Sequence, residues 1–135
     1  MIAPPAAVDR IVDVVPGVRA VAMVNVPVTL TVFDTHFPRF PVLPGVLLLD
    51  HIGATARLLA PPGLHCQHAV GGVRFRRYVQ PGDQIQITVE VVSTAPDVIE
   101  FRAVAEVDGR TAATVRSLRL GADLGAPGTT GETDD

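Results

Sequence analysis

His36 and Asp50 are the two residues whose types and spacing invite chemistry. They bracket the run His36-Phe-Pro-Arg-Phe-Pro-Val-Leu-Pro-Gly-Val-Leu-Leu-Leu-Asp50. Imidazole titrates near neutral pH, so it takes or gives a proton where most side chains do neither. Pro38, Pro41 and Pro44 stiffen the chain after it, which lowers the entropy cost of holding the ring in one place. Pro44 also suits a helix start, because the N–H it lacks would have no intrahelical partner there. Gly45 then offers no side chain to keep a ligand from the first-turn amides. Such amides, with the helix dipole behind them, stabilise a developing negative charge. Asp50 falls in the second turn of an otherwise apolar stretch and is expected to be buried. Desolvation there would favour the protonated carboxyl, the form that acts as an acid. Each residue alone has a plainer reading. His36 can be a structural ring beside Phe37, Asp50 a helix-face carboxylate paired with Arg57 or another arginine, and the prolines a loop. Together they describe acid–base chemistry beside a helix end.

The elements that must position these groups are read from periodicity. Ile11 to Val15 and Val18 to Val26 are two strands around Pro16-Gly17. Asp34 to Pro44 is irregular, since its prolines preclude helix and remove sheet donors. Gly45 to Ala60 is a helix by its length, its straight-chain leucines and the Pro61-Pro62-Gly63 stop. Apolar residues cover most of its circumference, the pattern of a helix buried on nearly all sides. Ala69 to Val79 is a strand, Pro81-Gly82-Asp83 a turn, and Ile85 to Val91 the next strand. Val98 to Val107 and Thr111 to Leu120 follow, joined by the hairpin signal Asp108-Gly109. One long buried helix and about six strands, mostly antiparallel, make an α+β domain over residues 1–120. Residues 121–135 have the composition of a flexible tail.

Bulk properties narrow the function classes. A chain of 135 residues suits one domain. Apolar residues make up 47% and mean hydropathy is +0.35, so either the core is rich or a partner covers an apolar surface. The net charge of −3 gives no global basic field for nucleic acid. Cys66 stands alone, which excludes an internal disulfide, and no Cys/His cluster has zinc-site spacing. The opening MIAPPAAVDR lacks the pattern of a secretory signal, and Val42 to Leu49 is too short to cross a bilayer. A soluble cytoplasmic protein is the expectation.

The run from His36 to Asp50 resembles the signature of the 3-hydroxyacyl-[acyl-carrier-protein] dehydratases of fatty acid synthesis. In that family a His-Phe-Pro-x-x-Pro-x-x-Pro-Gly run leads into the central helix of a hot-dog fold, which carries a Glu or Asp. His36-Phe37-Pro38, Pro41, Pro44-Gly45 and Asp50 match it. Val8-Asp9-Arg10-Ile11 through Pro16-Gly17 resembles the family's opening strand and turn. Val73-Arg74-Phe75-Arg76-Arg77 through Val79-Gln80-Pro81-Gly82-Asp83 resembles its later strand and turn. The resemblance implies a curved sheet wrapped around the helix, and a site with these roles. His36 removes the C2 proton of a 3-hydroxyacyl thioester, Asp50 protonates the departing hydroxyl or fixes a water or His36 for that step, and the Gly45 amide polarises the carbonyl. Phe37, Pro44, Val46 and Ala54 line the substrate site. It further implies no metal or resident cofactor, with the acyl group riding on the phosphopantetheine arm of an acyl carrier protein. Two subunits of a homodimer, or of a higher assembly of dimers, would supply the His and the acid of one site.

Three departures from the family pattern bear on the site. Thr35 stands where Gly usually precedes the His, Ala54 replaces a Gln four positions after the acid, and His51 replaces a small residue. These suggest a specialised relative serving polyketide or other secondary lipid synthesis. Asp in place of Glu is also similar to the branch that couples dehydration with double-bond isomerisation. Arg74, Arg76 and Arg77 form the basic cluster, read either as a solvated strand face or as the docking site of an acidic carrier protein. Two other readings of the chain stay open: a hot-dog thioesterase with Asp50 activating water, and a non-catalytic acyl-binding or partner hot-dog subunit.

Overall fold

The computed structural model describes residues 8–27, 43 and 45–123. The expected elements within that range are present. β1 (Arg10–Val15) turns through Pro16-Gly17, closed by Val18 N–H donating to the Val15 carbonyl at 2.9 Å, into β2 (Arg19–Asn25). The helix α1 (Gly45–Arg57) follows, then β3 (Cys66–Phe75), β4 (Gln84–Thr94), β5 (Val98–Val107) and β6 (Arg110–Gly121). Asp108 and Gly109 both have positive φ, 53° and 74°, as the tight β5–β6 hairpin requires.

The strands form one six-stranded sheet in the order β1-β2-β4-β5-β6-β3, and every neighbouring pair is antiparallel. Alternation sends Ile85, Ile87 and Val89 of β4, Ile99, Phe101, Ala103 and Ala105 of β5, and Leu118 and Leu120 of β6 into the core. α1 packs across β2, β4 and β5 through Leu48, Ile52 and Ala56. Ala20, Ala22, Ala103 and Ala105, all closed to solvent, let the helix sit near the sheet. Thr55 is the polar side chain buried in this layer. Its hydroxyl donates to the His51 carbonyl at 2.9 Å, which removes the cost of burial.

Three expectations need correction. α1 is covered around most of its circumference, with every residue from Ile52 to Ala56 buried, but it keeps one narrow open stripe that holds the acid. Val46 is 66% exposed, and Asp50 and Arg57 also face outward. β3 begins at Cys66 and ends at Phe75 rather than running from Ala69 to Val79. Past Phe75 the amides of Arg76 and Arg77 both donate to the Ala112 carbonyl, so the regular ladder stops. The last strand also reaches past residue 120, because Gly121 pairs with Cys66 on one side and Val98 on the other.

Candidate active site

Asp50, Gly45, Val46 and Ala54 lie on α1, and the structure separates their environments. Gly45 opens the helix, so its N–H belongs to the first turn, where no intrahelical acceptor exists. The expectation was that its missing side chain leaves room for a ligand. The space is instead taken by a neighbour, since a Cβ there would meet the Phe75 ring at 2.7 Å. Val46 is open, whereas Ala54 is 6% exposed. The Asp50 carboxyl is exposed and not buried as expected. It lies about 200° around the helix from Leu48, which faces the sheet. Among the described residues nothing covers this carboxyl. No ion pair between Asp50 and Arg57 forms, and the Arg57 Nε donates to the His65 carbonyl at 2.8 Å instead.

His36, Phe37 and Pro44 lie outside the described residues. The chain on either side of His36 is nonetheless fixed. Val26 exchanges two hydrogen bonds with the Pro81-Gly82-Asp83 turn: its N–H donates to the Asp83 carbonyl at 2.9 Å, and its carbonyl accepts from Gly82 N–H at 2.8 Å. Leu43 N–H donates to the Val79 carbonyl at 2.6 Å. Both flanks therefore attach to the single stretch Val79–Asp83. The turn is itself braced, with Asp83 N–H on the Gln80 carbonyl at 3.0 Å and Gln80 N–H on the Asp83 carboxylate at 2.8 Å. Sequence reading found this turn but not its task of anchoring.

The basic cluster is also rearranged. Arg76 and Arg77 line a cleft of about 630 Å³ together with Tyr78, Gln80, Val107, Asp108 and Arg110. Arg74 is not among the lining residues. It sits within β3 opposite Thr114, whereas Arg76 and Arg77 follow the strand's end. Arg110 was not singled out from sequence; the signal was its place just after the Asp108-Gly109 turn. Among the described residues, no group of His, Cys, Asp and Glu is arranged as metal ligands would be. None of the described helices is long and apolar enough to cross a membrane.

An antiparallel sheet packed against a helix, with an acid on that helix and an amide at its start, is the arrangement of a hot-dog protein. The chain belongs to the ApeI-like dehydratase family, whose model matches residues 13–116. The 3-hydroxyacyl-[acyl-carrier-protein] dehydratase FabZ of Acidiphilium cryptum is 40% identical over 110 residues, covering 76% of this chain and 67% of that one. The FabZ of Bordetella petrii is 35% identical over 123 residues, covering 82% of each. Among solved structures, the dehydratase heterocomplex ApeI:P from Xenorhabdus doucetiae matches with a TM-score of 0.63 and 27% identity, covering 78% of this chain and 88% of that one. The protein is accordingly a dehydratase, a hydro-lyase of fatty acid or polyketide biosynthesis.

Proposed function

We propose that the protein removes water from a 3-hydroxyacyl thioester carried by an acyl carrier protein, with His36 as base and Asp50 as acid. The observation that carries this reading is the arrangement on α1, where the Gly45 amide and the Asp50 carboxyl lie five residues apart. That spacing is about 7.5 Å along the helix axis. An amide that draws charge from the thioester carbonyl makes the C2 proton more acidic, and a carboxyl further along meets the 3-hydroxyl. The His36 imidazole takes the C2 proton, the C3–O bond breaks, and Asp50 delivers the proton that makes the leaving group water. The elimination breaks C2–H and C3–O, forms the C2–C3 double bond and releases water with no net oxidation or reduction, so this reading requires no redox cofactor.

In this reading the site is completed by a second hot-dog subunit, ordinarily another copy of this chain. β3 is a ten-residue edge strand, exposed along most of its length, and among the described residues it pairs on one side only. Such an edge readily pairs with another chain. β1, the other edge, is shorter and interrupted at Val12. Pairing along β3 would also bring a second surface near the open stripe of α1, adding cover that the described residues do not give Asp50. The carrier protein, being acidic, is placed at the cleft of Arg76, Arg77 and Arg110, and the reaction in the cytoplasm. The ApeI:P complex is a heterocomplex, so a mixed pair of hot-dog subunits is the second reading of the assembly.

Mass spectrometry of the purified protein with 3-hydroxyacyl carrier-protein thioesters tests the assignment. Wild type loses one water from the substrate, while His36→Ala and Asp50→Asn do not. Release of free acid would replace this reading with thioester hydrolysis. Dehydration that persists in both variants would remove the proposed pair.

A further inference from the structure

The stripe of α1 that carries Asp50 continues through Gly53, Ala54 and Arg57. At 3.6 residues per turn, Arg57 lies within about 20° of Asp50 and about 10 Å further along the axis. Gly53 has no side chain, yet it is buried, because two long polar side chains from different elements lie over it. The Gln67 Oε1 of β3 is 3.2 Å from where a Gly53 Cβ would stand, and the Arg57 Nη1 is 3.4 Å from it. The bond from Arg57 Nε to the His65 carbonyl, 2.8 Å, holds the guanidinium in that place.

The direction of the substrate follows from the proposed roles, on which this inference rests. The carbonyl lies at Gly45 and C3 at Asp50, so the acyl chain beyond C3 continues toward Arg57. We infer that Arg57 and Gln67 form a polar stop on the acyl path, selecting substrates whose far end bears a carboxylate. A methyl-ended chain of that reach would strip water from a guanidinium and an amide and return no hydrogen bond. A carboxylate accepts two N–H donors of a guanidinium in parallel and can be reached by the Gln67 amide as well. Acyl groups too short to reach the stop are indifferent to it.

The test compares kcat/KM for three 3-hydroxyacyl thioesters: a short one, a methyl-ended one of medium length, and its ω-carboxylate counterpart of equal length. Wild type is expected to favour the ω-carboxylate by about ten- to a hundred-fold, mainly through KM, as one charge-assisted hydrogen bond allows. Arg57→Leu should reverse that ratio, Arg57→Lys should keep its sense, and Gln67→Leu should weaken it. Equal rates for the two medium-length substrates, with the short one dehydrated, would overturn the polar stop and leave the dehydratase reading standing. An unchanged ratio in Arg57→Leu would do the same. If no thioester, short or long, loses water, the dehydratase reading fails and the stop fails with it.

Discussion

The Phe75 ring occupies the space that a side chain on residue 45 would need: its ζ carbon lies 2.7 Å from where a Cβ there would stand. An aromatic ring from the sheet edge thus rests on the first turn of α1, beside the amides proposed to draw charge from the carbonyl. Phe75 is itself 54% exposed, so the ring has room to swing away.

Gly45→Ala is therefore expected to displace the ring rather than unfold the protein, at a cost of about 1 kcal/mol or less. Activity should fall far more, because both the amide's surroundings and the ring move. A double-mutant cycle with Phe75→Ala, read by thermal or denaturant unfolding, checks the contact. Coupling of about 0.5 kcal/mol or more is expected for residues that touch. Additivity within about 0.3 kcal/mol would show that glycine is needed at 45 for some other reason.

Phe101 tests the core beneath the site. Its side chain is fully buried on β5, the strand between β4 and β6 and one of those beneath α1. Phe101→Ala should destabilise by about 3–5 kcal/mol, from lost transfer energy and the cavity left behind. Val92→Ala is the control, as Val92 is 51% exposed at the irregularity between Val91 and Ser93 and should change stability by no more than about 0.5 kcal/mol. Denaturant midpoints at constant slope measure both. Similar small shifts for the two would mean that the sheet packs more loosely than its burial indicates.

How much of this was readable in advance depends on which interactions decide each feature. The six strands and the helix follow local rules, so Pro16-Gly17, Asp108-Gly109 and the run of alternating Ile85, Ile87 and Val89 disclosed them. The start of β3 did not, because Cys66, Gln67 and His68 show no alternation; Cys66 and Gln67 join the sheet by pairing with Gly121 and Leu120, and His68 falls at the irregularity that follows. The exposure of Asp50 was not readable either. On a helix that is apolar almost all round, sequence cannot say which face the sheet takes; the strand order decides that. Arg110 was missed for the same kind of reason, since only the β5–β6 hairpin brings it to Arg76 and Arg77. The His36–Asp50 motif was legible as a unit, but its His36 half falls outside the described residues, so the pairing rests on the resemblance and on α1.

The arginine cleft separates docking from chemistry. Arg77→Glu combined with Arg110→Glu should lower kcat/KM for a carrier-bound substrate by roughly ten-fold or more, since reversing charges costs both steering and register. The loss should shrink as salt rises, because screening weakens long-range attraction in the wild type first. Turnover of a small soluble 3-hydroxyacyl thioester should fall much less. Arg74→Glu, outside the cleft, should have a smaller effect on the carrier-bound substrate than the pair. Equal losses on both substrates would place the cleft at the reaction itself.

Subunit pairing along β3 has a measurable signature. Light scattering should give wild type a mass of twice 14.2 kDa or a multiple of it. Gly71 is an exposed residue of that edge with open space around its Cβ position, so lysine fits there without internal conflict. Gly71→Lys puts a charge on the edge of each chain and should shift the population toward monomer, as lysines on natural edge strands do. If two chains complete one site, specific activity must fall with that shift and must recover as protein concentration rises. Wild type should show the same dilution dependence at lower concentration. A monomeric Gly71→Lys protein with full activity would show that one chain holds a whole site. A wild type that is monomeric and inactive, but gains activity on adding a different hot-dog subunit, would establish the mixed pair instead.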